Sequence, residues 1–137
     1  MSTFPSLRTV RYRLLAALWT LGILVALTLP TGSVPDMQAT GVDKLVHAGL
    51  FAGFGLLWLR GLCPPGADGL WKCFCLRGGL FFVGGVLFAV GTEVYQHLLP
   101  LQRVGDPYDV TADLLGFIVA FVGYYVYHVR RIDRASA

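Results

Sequence analysis

Charge is scarce in this chain. Only 14% of its 137 residues are Asp, Glu, Lys or Arg, while 55% are hydrophobic; a soluble domain carries roughly 25% charged residues. That shortage excludes an ordinary water-soluble globule. Linkers and low-complexity tracts are also lacking, so residues 1–137 are expected to form a single domain. The net charge of +3 is small and is not gathered into a basic face, which gives nucleic-acid binding no support. Cysteine is sparse too. Cys63, Cys73 and Cys75 fall in one connecting segment, and their odd number and C-x-C spacing match neither a paired disulfide framework nor a zinc knuckle. Reduced thiols on a cytoplasmic loop are the expectation.

What is abundant is apolar sequence, in four runs each near the length of about 20 residues that crosses a bilayer. An all-α fold with four transmembrane helices follows, over approximately 11–29, 44–62, 78–99 and 111–128. The first run follows a basic start, as in a signal peptide, but TGSVPDMQA after it offers no convincing cleavage site, so an uncleaved helix is expected. Gly49 and Gly53 in the second run form a G-x-x-x-G pattern, and Ala112, Gly116 and Ala120 form a small-residue stripe in the fourth. Small residues four apart let helix backbones approach closely within lipid. Trp71 and Phe74 are expected at the membrane interface, as is a belt formed by Tyr124, Tyr125 and Tyr127.

The basic residues give the orientation. Arg8, Arg11, Arg13, Arg60, Lys72, Arg77, Arg130, Arg131 and Arg134 fall on one side of this topology, and only Lys44 and Arg103 on the other. The positive-inside rule then puts both termini and the 63–77 loop in the cytoplasm.

The remaining polar residues gather on the opposite, extracytoplasmic side. Asp43, Lys44 and His47 open the second helix, with His47 one turn from both of the others. Glu93, Gln96 and His97 close the third. Asp109 and Asp113 flank the start of the fourth, and Arg103 and Asp106 stand in the loop before it. Taken singly, the aspartates could serve as helix caps and the cations as interfacial anchors. Glu93 fits neither role, lying roughly 8–10 Å inside the helix end at 1.5 Å per residue. A carboxylate that deep costs roughly 3 kcal/mol on insertion scales and marks a polar cavity or a buried pair with Lys44, His47 or Arg103. Glu93 and His47 are the candidate catalytic pair for proton transfer, with His97 an alternative partner. Asp43, Lys44, Gln96, His97, Arg103, Asp109 and Asp113 are the candidate binding residues, Lys44 and Arg103 suiting a phosphate or carboxylate. The imidazoles and carboxylates could ligate a divalent metal, yet such pairs recur by chance, and no metal or cofactor is expected.

The pattern D-K-x-x-H at 43–47, F-x-G at 51–53, E-x-x-Q at 93–96, Pro100, Arg103, Asp109 and Gly116 resembles the VanZ-like family of small bacterial membrane proteins. It departs from that family at Asp113, where asparagine is usual. The resemblance implies a bacterial inner-membrane protein with an outward-facing polar site. The family's founding member is linked to teicoplanin resistance. Two functions are open: binding or modifying a cell-envelope lipid or lipid-linked precursor, and serving as a non-catalytic subunit of a larger membrane complex. Membrane lipids are the expected partners in either case, and whether there is catalysis stays open.

Overall fold

The computed structural model of the chain describes residues 6–28, 41–64, 70–98 and 107–135. They form α1 (Leu7–Leu27), α2 (Val42–Leu62), a short α3 (Leu70–Cys73), a π-helical turn (Phe74–Gly78), α4 (Gly79–Leu98) and α5 (Pro107–Ala135). No strand occurs among the described residues. Four helical spans are long and apolar enough to cross a membrane: Leu7–Leu27, Val42–Leu62, Phe74–Leu98 and Pro107–Arg130.

Local chemistry sets the helix starts. Ser6 Oγ accepts from the Thr9 amide at 3.3 Å and caps α1. Gly41 precedes α2 with φ 71°, a left-handed value that glycine adopts without steric cost. Pro107 opens α5, where its missing N–H would have had no helical partner. That start is four residues before the predicted Thr111 and brings Asp109 into the first turn. The third span likewise begins earlier than predicted, because residues after the Pro64–Pro65 break re-enter a helix at Leu70 and continue through the π-helical turn.

Side-chain bonds fix the directions of the helices. Trp19 Nε1 donates to the Leu50 carbonyl at 2.9 Å, Trp58 Nε1 to Thr20 Oγ1 at 3.1 Å, and Arg13 Nε to the Gly61 carbonyl at 2.9 Å. Trp19 meets the earlier Leu50 and Arg13 the later Gly61, so these two helices are antiparallel. Between α2 and α5 the numbers ascend together: Lys44 meets Asp109, His47 meets Asp113, and the Cys63 carbonyl accepts from Tyr124 Oη at 2.6 Å. Helices α2 and α5 are therefore parallel, with α4 running back between their ends.

They approach closely at Gly116, where a Cβ would overlap the Ala48 carbonyl oxygen. The predicted small-residue stripe of α5 is thus a real contact surface, with Ala112 buried beside it. The G-x-x-x-G of α2 divides. A Cβ on Gly53 would come within 2.8 Å of the Trp19 ring, whereas Gly49 faces open space. Phe117 fills the centre, fully buried, with its ring in the space that Gly85 leaves by lacking a side chain. Phe54, Phe81 and Phe82 pack around that ring at centroid distances of 6.0, 5.3 and 5.6 Å.

Three expectations change at the other end of the bundle. Cys63 and Cys73 are not separate thiols but a disulfide, their Cα atoms 5.8 Å apart, within the span such a bond bridges. Cys75 alone is free and exposed. Phe74 is buried against Phe121, Tyr124 and Tyr125 and is not an interfacial residue. Tyr124 is likewise buried, because its hydroxyl is engaged by the Cys63 carbonyl, while Tyr127 is exposed as a belt residue would be. Trp71 and Arg103 lie outside the side chains described.

Candidate functional site

The parallel run of α2 and α5 brings both helix N-termini to one end of the bundle, and the polar residues gather there. Asp43, Lys44 and His47 occupy the first turns of α2, and Asp109 and Asp113 those of α5. Each N-terminus carries about half a positive charge in its unpaired amides, which favours carboxylates in the first turn. The close contact of Gly116 with Ala48, one residue beyond His47, holds the two sets within reach.

Two ion pairs join the helices. Lys44 Nζ binds Asp109 Oδ1. His47 Nδ1 lies 3.0 Å from Asp113 Oδ1, and Asp113 is only 1% exposed. With Asp113 ionised its oxygen can only accept, and Nδ1 then carries the hydrogen. On the other side of the ring, Nε2 is 3.9 Å from Asp43 Oδ1 and 4.0 Å from Asp109 Oδ2. His47 is thus the hub of the site, with a carboxylate on its Nδ1 side and two more before Nε2.

The sequence-derived candidates divide as follows. Asp43, Lys44, His47, Asp109 and Asp113 form one connected group. Glu93 and Gln96 are buried on the last turns of α4, whose C-terminal end lies at the same end of the bundle, and both engage partners. Glu93 is 8% exposed. His97 points outward on α4 and is exposed. Arg103 and Asp106 lie outside the described residues. The pairing of Lys44 and His47 with two aspartates was not foreseen, the sequence having offered for Glu93 either a polar cavity or a pair with Lys44, His47 or Arg103; the parallel alignment of α2 and α5 decides the aspartate pairing.

The opposite end holds a polar residue that the sequence reading passed over. His128 is buried, stacks on Tyr124 at 4.1 Å and meets the Tyr124 carbonyl through Nδ1 at 2.9 Å. This is a local i, i+4 contact, and only the burial, invisible in the sequence, sets it apart from an interfacial histidine.

Comparison with known proteins adds no assignment: no family model matches the chain, and neither do curated proteins or solved structures.

Proposed function

We propose that this chain is a multi-pass protein of the bacterial inner membrane, with both termini in the cytoplasm, whose polar end binds the head of an envelope lipid or lipid-linked precursor at the outer face. The observation that carries this reading is the concentration of Asp43, Lys44, His47, Asp109 and Asp113, with buried Glu93 and Gln96, at one end of an otherwise apolar bundle. Ionisable groups inside membrane segments are costly to insert, and function is the usual reason for them. Lys44 and Arg103 are the cationic contacts for a phosphate, and Glu93 with His47 the pair for any proton transfer. The resemblance to the VanZ-like family supports an envelope setting and extends the proposal to tolerance of glycopeptides such as teicoplanin.

Replacing Glu93 with Gln and Lys44 with Ala tests the reading. Purified in mild detergent, the parent chain is expected to retain a defined lipid that mass spectrometry identifies. Both variants are expected to insert normally and lose that lipid. Unchanged lipid in both would count decisively against a headgroup site.

The ion pairs between α2 and α5 favour a second reading, in which the charges are a latch and the chain is a subunit of a larger membrane assembly. Stoichiometric recovery with other proteins from native membrane would support it, and a small particle holding only this chain and lipid would not.

A further inference from the structure

His47 Nε2, Asp43 Oδ1 and Asp109 Oδ2 face one another at the mouth of the α2–α5 seam, and the ligand atoms of these three residues lie within 4.8 Å of one another. Distances of 3.9 and 4.0 Å are too long for hydrogen bonds. If Nε2 carried a proton, a bond to one of the carboxylates should draw it to about 3 Å. If Nε2 carries a lone pair, that lone pair faces two anions and repels them. A cation between them removes the repulsion. Ligand atoms bonded at about 2.1 Å to a tetrahedral ion stand roughly 3.4 Å apart, so closure by about half an ångström from the ring to each carboxylate, and by at most about 1.4 Å between the carboxylates, seats one.

Three further features suit an ion. Asp113 holds Nδ1–H, which fixes the ring and leaves Nε2 as the ligand atom, the usual support for a metal-bound histidine. Lys44 occupies Oδ1 of Asp109, so Oδ2 is the atom left facing the ring. The charges also leave room. With His47 neutral, Asp43, Asp109 and Asp113 bring three negative charges, while Lys44 and two helix N-termini return about two.

We propose that Asp43, His47 and Asp109 form a site for a divalent first-row cation, with Asp113 as the positioning residue behind His47. One imidazole and two carboxylates suit Mn²⁺ or Zn²⁺. Three protein ligands leave a coordination position open to water or another oxygen. The site shares its residues with the lipid-binding reading but does not rest on it, since an ion can bind here whether or not a headgroup does.

The test uses the full chain, stripped with chelator and held in a non-ionic detergent free of phosphate. Mn²⁺ is titrated in and followed by loss of the free-ion EPR signal, with Zn²⁺ as competitor. One ion per chain is expected, displaced by Zn²⁺ and bound more tightly as pH rises, because binding requires neutral imidazole. His47→Asn and Asp43→Asn are expected to lose the binding, Asp113→Asn to weaken it by about 10- to 100-fold, and Lys44→Met to strengthen it by removing a competing charge. Tyr127→Phe, exposed at the opposite end of the bundle, serves as the control with binding retained. If His47→Asn fails to fold, Asp43→Asn at the half-exposed rim decides. No binding at millimolar Mn²⁺ or Zn²⁺, or binding undiminished in Asp43→Asn or His47→Asn, overturns the proposal.

Discussion

Asp113 and His47 form a pair that neither residue could leave cheaply. Asp113 is almost fully enclosed, and His47 donates to it from a neighbouring helix. Removing one partner of a buried hydrogen bond leaves the other unsatisfied, at about 1–3 kcal/mol. Asp113→Ala is therefore expected to destabilise the fold by about 2 kcal/mol. Asp113→Asn keeps an acceptor for Nδ1–H and should cost much less. Unfolding in detergent, followed by loss of helical signal, measures both; equal losses would mean that the charge, not the hydrogen bond, holds the pair. At this scale the sequence was informative about which residues matter but not about whom they meet. Apolar surroundings single out Glu93, and the one-turn spacings put Lys44 with His47 and Asp109 with Asp113 on common faces. The pairing depends on α2 and α5 running parallel in matched register, which no local pattern encodes.

The same limit governs the elements. Small residues four apart recur on every face of a glycine-rich helix, and only packing selects the face that is used. In α5 the stripe through Gly116 is the contact, since a side chain there would strike the Ala48 backbone, which cannot move aside as a side chain could. In α2 and α4, Gly49 and Gly84 have nothing near them. The three substitutions should therefore differ in sign. Gly116→Ala forces α2 and α5 apart, and overpacking of this kind costs about 1–3 kcal/mol. Gly49→Ala and Gly84→Ala gain up to about 1 kcal/mol of helix propensity with no clash. Thermal unfolding of the three variants in one detergent gives the comparison. A Gly116→Ala protein as stable as its parent would remove the basis for the close α2–α5 seam, and with it the geometry of the polar end. The helix count and approximate spans were legible because bilayer thickness imposes a length on apolar runs. The early start of the third span was not, because Pro64 and Pro65 break the second helix without marking where the next begins.

Taken whole, the molecule turns its large apolar side chains outward. Leu14, Leu18, Leu80, Leu87 and Val119 are all exposed, a surface suited to hydrocarbon and not to water. Its orientation is where two features disagree. Arg13, Arg60 and Arg77 lie with most of the other basic residues at the end of the bundle opposite His47, the asymmetry on which the proposed cytoplasmic placement of that end rests. The Cys63–Cys73 disulfide is at that same end, yet disulfides persist in oxidising compartments and are rare in the cytosol. The proposed orientation follows the charge asymmetry, to which insertion responds before any thiol can oxidise. In that orientation the Cys63–Cys73 disulfide would meet a reducing compartment, which is expected to open it in the cell. Cys75, free and exposed beside them, reports the side directly. In intact cells a membrane-impermeant maleimide should leave Cys75 unmodified, and a permeant one should label it. A second permeant treatment after denaturation should find two further thiols if the pair is reduced in place. Labelling of Cys75 from outside would reverse the orientation: the disulfide would then sit in the oxidising compartment, and the His47 site would face the cytoplasm, where an outer-leaflet headgroup could not reach it.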